Sequence, residues 1–174
     1  MSKFIFEIQG LDKLQAKIKT LPKDVQEEVV GEIQAWGYEV NGKQLALISQ
    51  QKIQDLGALQ QNTKAMPTKD GVELISNVYY APFIEFGTGA KVKVPSEVTA
   101  YAAQFRGKKQ GTFKEFVVKM RGWLKRNGYN EKLAFIAALN KIKNGSEPRP
   151  YFFDPYLKNR KKLIERINKV ISDL

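Results

Sequence analysis

Glu85 is the one ionisable acid in the run Tyr79-Tyr80-Ala81-Pro82-Phe83-Ile84-Glu85-Phe86, which ends in Gly87-Thr88-Gly89. A carboxyl group set among aromatic side chains is how a general acid has its pKa raised toward neutrality. Acid–base or nucleophilic work also needs a second group, and no acid, lysine or tyrosine stands at a telling spacing from Glu85. The 174 residues include no histidine and no cysteine. Thiolate chemistry, disulfides and Cys-based zinc sites are thereby excluded, and so are the commonest general base and metal ligand. Gly87-Thr88-Gly89 is a fragment of a glycine loop without the Gly-Lys-Ser/Thr ending and following helix that cradle a phosphate. These residue types favour another use of Glu85. It accepts hydrogen bonds from nearby backbone N–H groups, or pairs with a Lys or Arg of the same or a neighbouring subunit. No catalytic residue, cofactor or metal is expected.

Length and composition point to one ordinary domain, residues 1–174, with a hydrophobic fraction of 43% and a charged fraction of 27%. No apolar run approaches the roughly 18 residues of a membrane span, so no membrane partner is expected. The charge is uneven: residues 1–87 have a net charge of −2 and residues 88–174 one of +13. A basic half can face phosphate, an anionic membrane or an acidic protein, or can simply be solvated. Trp123 beside Lys125 and Arg126 has the look of a nucleic-acid surface, but it falls on one helical stripe with Phe116 and Met120, which favours core packing. Trp36 is read the same way. Lys158, Arg160, Lys161 and Lys162 sit near the first turn of the last helix, where the helix dipole disfavours cations, hinting at an external acidic partner.

Stepping along the chain, KFIFEI at 3–8 reads as a strand, and Leu11, Leu14, Ile18 and Leu21 recur at helical spacing. Val25, Val29, Ile33, Trp36, Val40 and Leu47 mark one long helix over 23–53, weakened by Gly31, Gly37 and Gly42, with a kink allowed near Asn41-Gly42. Pro67-Thr-Lys-Asp-Gly71 between apolar runs reads as the turn of a β-hairpin over 57–78. FIEFG makes one helical turn, and Pro95-Ser96 starts a short helix through Phe105. Thr112 and Glu115 form a capping box for a helix with Phe113, Phe116, Val117, Met120, Trp123 and Leu124 on one face. Asn130 caps the next helix, whose stripe is Leu133, Ile136, Ala137, Leu139 and Ile142, and Asn144-Gly145 ends it in left-handed backbone. SEPRPYFFDP is an extended link, with Asp154 as cap and Pro155 in the first turn of the last helix. The expected fold is α+β: a small, mostly antiparallel sheet, a long N-terminal helix packed on it and a helical C-terminal part.

YAPFIEFGT at 80–88 resembles the most characteristic segment of a tailed-phage family, the gene-product-10-like family of the Hong Kong 97 type (head–tail connector, neck or tail-completion proteins). Members typically carry Tyr-Ala, two or three residues, then Glu, an aromatic residue and Gly-Thr. Tyr80, Ala81, Glu85, Phe86, Gly87 and Thr88 occupy those places. The family's C-terminal Pro-Phe-x-x-Pro-Ala segment, leading into a last helix, is similar to RPYFFDPYLKN at 149–159, with Pro150, Phe152 or Phe153, and Pro155. The chain departs from the family pattern in having only a loose counterpart, Asp55-Leu-Gly-Ala-Leu59, of the Thr-Gly-x-Leu segment before the hairpin. Residues 90–147 are longer than a minimal member needs and read as a helical elaboration.

The resemblance implies a virion structural protein of the neck that helps join head to tail by binding rather than turnover. It implies a homo-oligomer, a ring in the virion, with head-closure and tail proteins as neighbours. Non-specific contact with packaged DNA would run through the basic half, and the protein would lie in the host cytoplasm before assembly. Tyr79, Tyr80, Phe83 and Phe86 are then expected to anchor the hairpin end, each worth about 1.5–3 kcal/mol if fully buried. Gly87 and Gly89 allow a sharp turn, and replacing Glu85 with Gln is expected to weaken assembly while leaving the monomer folded. Two alternatives stay open: a basic nucleic-acid-binding protein, and a small hydrolase using Glu85.

Overall fold

The structure, a computed structural model, describes residues 18–53, 57–88, 96–104 and 112–172. The strand expected at 3–8, most of the helix through Leu11 and Leu14, Gly89, Pro95, Phe105 and the basic loop that follows it lie outside the described residues.

Helix α1, Lys23–Gln50, begins after Pro22 and runs unbroken through Asn41-Gly42. It stops three residues short of the expected 53. Lys52 adopts φ +50, and the Lys52 and Ile53 N–H groups turn back to the carbonyls of Ser49 and Ile48. This left-handed cap satisfies the last carbonyls without further helix. The buried face carries Val25, Val29, Trp36, Val40 and Ile48. It also carries Gln44, fully buried, where an apolar stripe alone was expected.

A short helix α2, Ala58–Gln61, leads into strands β1, Thr63–Thr68, and β2, Gly71–Ser76. They pair antiparallel from Thr63↔Ser76 to Thr68↔Gly71, with Lys69-Asp70 as the two-residue turn. Pro67 therefore stands inside β1 opposite Val72 rather than in the turn. In a two-stranded sheet every strand is an edge, so a missing N–H is tolerated. The hairpin packs on α1. Gly37 makes this possible, because a Cβ there would sit 2.4 Å from Val72 Cγ1. A Cβ on Gly31 or Gly42 would meet open space.

Helix α3, Ala81–Phe86, is the expected helical turn, with proline in its first turn. A 3₁₀ turn at Ser96–Val98 and helix α4, Thr99–Ala103, follow. Within the stretch read as an elaboration, helix α5, Phe113–Arg126, starts on the expected capping box of Thr112 and Glu115. Asn130 caps a 3₁₀ turn, Glu131–Leu133, that opens helix α6, Ala134–Asn144. Residues 145–152 form an extended link, and α7, Phe153–Ser172, closes the chain along α1. There Trp36 meets Tyr156 edge to face, and its indole N–H donates to the Asn159 carbonyl at 3.0 Å.

The structure corrects three expectations. The apolar stripes of α5 and α6 are not core: of α5 only Leu124 is buried, and Trp123 is 39% exposed, stacked on Tyr129. In α6 the small Ala134 and Ala138 are buried, while Leu133, Ile136, Leu139 and Ile142 are exposed. The two helices pack mainly on each other, so one shared seam is all they can bury. Tyr79 is exposed, and among the four expected anchors only Phe86 is fully buried. Asp154 lies inside α7 rather than capping it, and accepts from Lys158 at 2.6 Å. Three cations of the cluster at the start of α7 also have acids within the chain: Lys158 with Asp154, Arg160 with Glu97 at 3.5 Å and Lys162 with Glu39 at 3.0 Å, all in exposed pairs.

Candidate functional site

The last helix of the chain needs acceptors for its leading N–H groups, since a helix N-terminus leaves them without intrahelical partners. Glu85, 3% exposed at the end of α3, supplies one from a distant part of the sequence for Phe153, the first residue of α7, and takes the two N–H groups that lead into it. Its Oε2 accepts from the backbone N–H of Tyr151 at 2.8 Å and of Phe152 at 2.9 Å, and its Oε1 from Phe153 at 3.0 Å. This is the backbone role expected of Glu85, here within one chain rather than between subunits.

Three further bonds extend the contact into a clasp between residues 84–88 and 146–153. Arg149 N–H donates to the Ile84 carbonyl at 2.8 Å. Thr88 and Ser146 are paired reciprocally: Thr88 N–H donates to the Ser146 carbonyl at 3.0 Å, and Ser146 N–H to Thr88 Oγ1 at 2.8 Å. Gly87 has φ +66 and ψ −179, and Gly145 has φ +75 and ψ −177. Only glycine enters that region readily, so each segment reaches the clasp through a glycine. The extended ψ at Gly145 departs from the expected left-handed helix end and releases the chain straight into the link. A Cβ on Gly87 would lie 2.5 Å from the Ser146 carbonyl oxygen and 2.9 Å from Pro148 N.

Side chains of α1 hold the link from the other side. Gln44 Nε2 donates to the Phe152 carbonyl and Gln51 Nε2 to that of Pro150, both at 3.0 Å. Tyr151, Phe152 and Phe153 are all buried, in one core with Ile48, Leu59, Ala81, Phe86, Val98 and Ala102. Phe86 stacks on Phe153 at 5.6 Å between ring centroids. Tyr151 also anchors a buried hydroxyl chain, with its oxygen 2.9 Å from Ser76 Oγ, itself 3.1 Å from Thr63 Oγ1, which donates to the Leu59 carbonyl at 2.7 Å. Thr63 has one hydroxyl proton, so Ser76 donates to Thr63 and Tyr151 to Ser76.

Burial pushes the Glu85 carboxyl above the usual carboxylate range, and the bonds from Phe152, Tyr151 and Phe153 pull the other way. Burial likewise pushes the Tyr151 phenol up. An upward-shifted acid is also what a general acid needs. Here, however, both carboxyl oxygens are engaged by backbone donors and the group is almost wholly covered. The arrangement is built to hold two chain segments together. In a Glu85→Gln variant the amide would turn a donor toward one of the three N–H groups, so a cost to the stability of the folded monomer is expected beside any effect on assembly.

The structure brings together Glu85, Phe86, Gly87, Thr88, Phe152 and Phe153, with Pro150 held through its carbonyl by Gln51. Ala81 and Pro155 are buried in the adjoining helices, and Tyr80 is half-buried beside the same core. Sequence reasoning missed Gln44, although it stands four residues from both Val40 and Ile48 on the apolar stripe. It missed the Thr63–Ser76–Tyr151 chain too, for which only the inward register of Ser76 was a signal. A cleft of about 600 Å³ opens beside the clasp, lined among others by Phe83, Ile84, Thr88, Lys141 and Glu147. Among the described residues no cluster of acids could hold a metal ion, and no helix is long and apolar enough to cross a membrane. Compared with protein families, with curated proteins and with solved structures, the chain matches none.

Proposed function

We propose that the protein is a structural component of a tailed-phage virion, a head–tail connector or tail-completion protein of the neck that acts by oligomeric assembly and not by catalysis. The observation that carries this proposal is the Glu85 clasp. The two segments that resemble the phage family, 80–88 and 149–159, are 60 or more residues apart in sequence, yet three backbone N–H groups of one converge on the single acid of the other. A shared motif pair is most simply explained when its members form one physical unit. Neighbouring head-closure and tail proteins are the proposed partners, in a ring closed by head-to-tail contacts between copies.

One observation favours assembly over the hydrolase alternative: Glu85 is covered and both its carboxyl oxygens are engaged by backbone donors. The nucleic-acid alternative draws on the net +13 of residues 88–174. Part of that charge is matched from outside those residues by Glu39 and Glu32 of α1, which pair with Lys162 and Arg166. Mass spectrometry of purified virions, with chemical cross-linking, tests the proposal. It should find the chain in the particle, cross-linked to portal-side and tail-side proteins. Its absence from the particle would remove the proposal.

A further inference from the structure

The helices α5 and α6 leave a surface that nothing else in the described chain covers. Eight of the large apolar residues that stand exposed fall between 118 and 142, and Ile136 is 64% exposed. On α6, Phe135, Ile136, Leu139 and Ile142 recur at i, i+1, i+4 and i+7, which places them on one face, beside the buried Ala134 and Ala138. An apolar face of this kind marks an interaction site. The helix pair that carries it is basic: residues 112–145 hold eight Lys and Arg against two acids, a net charge of +6.

A second surface is its counterpart. On the outward side of α1, Asp24, Glu28, Gly31, Ala35, Tyr38 and Gly42 recur at alternating spacings of four and three residues, and all six are exposed. This is the spacing of a seam that receives another helix. The seam is acidic at its start, where Glu27 is exposed as well, and it carries the small residues Gly31, Ala35 and Gly42 with one exposed aromatic, Tyr38, between the last two. Gly37 has a reason inside the fold, the close approach of Val72, whereas Gly31 and Gly42 face open space. Glycine in a helix interior is unfavourable, so two of them on one outward stripe fit an external helix that comes close, with Tyr38 as an apolar contact on it. From Glu28 to Gly42 the stripe is about 21 Å long, enough for the roughly 16 Å of α6.

We infer that the apolar face of α6 in one copy seats on the outward Gly31-Ala35-Gly42 stripe of α1 in the next, with the basic helix pair against Asp24, Glu27 and Glu28. The surfaces differ, so the contact is heterologous and propagates from copy to copy. It deepens the ring of the proposed function by naming its protomer–protomer interface, and it rests on that proposal only for its biological setting.

Two variants of the full chain test it by sedimentation. Ile136→Asp spoils the α6 face, and Gly42→Gln fills the stripe. Both positions are exposed, and Gly42→Gln, set in open space, should unfold at the same or a higher denaturant concentration than the parent. Each alone should weaken self-association by at least about 30-fold, the loss of one anchor residue. Mixed, they should form a one-to-one dimer and no more, because one brings an intact stripe and the other an intact α6. The inference is overturned if the parent chain stays monomeric, if Gly42→Gln associates like the parent, or if the mixture gives no dimer. Association lost only in Ile136→Asp would mean that hairpins pair with each other, or that α6 takes a different partner surface. A ring that survives both variants would remove this interface and leave the neck proposal standing, since the presence of the chain in virions decides that independently.

Discussion

Phe153 donates its backbone N–H to Glu85 Oε1 at 3.0 Å across 68 residues of chain, and thereby starts the last helix. Helix α7 has a first turn organised by a side chain from α3, so the two segments fold as one unit or neither is properly placed. That coupling has measurable consequences.

Glu85→Gln keeps the shape of the side chain but turns an NH₂ toward one backbone donor. It should destabilise the folded chain by roughly 1–3 kcal/mol, the cost of one buried donor left without a partner. Glu85→Ala strands three donors and should cost more. Urea unfolding checks the order. Equal stability of Glu85→Gln and the parent would mean that the three bonds contribute little.

The Glu85 carboxyl should titrate above its ordinary value of 4.5, because burial outweighs its hydrogen bonds. A folded pKa above the unfolded one means that the folded state holds the proton more tightly. This group's contribution to stability is therefore fully present below 4.5 and declines as pH rises through the folded pKa. Glu39 has the opposite sign: bonds from Arg166 and Lys162 hold its carboxyl below 4.5. Its contribution is present above 4.5, is lost as pH falls through the folded pKa, and is reduced by salt because the group is exposed. Carboxyl-carbon NMR titration should find Glu85 above and Glu39 below 4.5; a Glu85 value below 4.5 would mean that its three backbone bonds outweigh burial, and would reverse the sign of its pH dependence.

Gly87→Ala and Gly42→Ala should move stability in opposite directions. At Gly87 the new methyl meets the Ser146 carbonyl at 2.5 Å and the backbone is at φ +66, so a loss on the order of 3 kcal/mol is expected. At Gly42 the methyl enters open space within a helix, and a gain of about 0.5–1 kcal/mol is expected. Thermal unfolding of the pair is sufficient to check this.

The buried hydroxyl chain runs from Tyr151 to Ser76 to Thr63 to the Leu59 carbonyl. Tyr151→Phe removes its first donor and leaves Ser76 still donating to Thr63, which should cost about 1 kcal/mol. Ser76→Ala leaves the Tyr151 hydroxyl buried with its acceptor gone, and should cost more. If Tyr151→Phe is the more damaging variant, the direction of donation is wrong.

Much of the architecture was legible in advance because local signals agreed with it. Thr112 and Glu115 announced the start of α5, Asp70-Gly71 the hairpin, and the stripe from Val25 to Val40 the long helix. The end of α1 was not legible: Lys52 in left-handed backbone overrides the propensity to continue. The stripes of α5 and α6 were correct in period, but period alone does not say whether a face meets the core or another molecule. Of the site, Glu85 was visible as an acid in an apolar wall and its backbone role was anticipated. Which N–H groups it takes was not legible, because nothing local to residues 80–88 encodes a partner near residue 152. The acids that pair with Arg160 and Lys162 were not legible for the same reason, since they lie near α4 and on α1.

The measurement that bears most directly on the neck proposal is electron microscopy of the phage particles made when this gene is silenced in a strain that carries it. The account predicts DNA-filled heads beside separate, tube-bearing tails. Intact, infectious virions would contradict it.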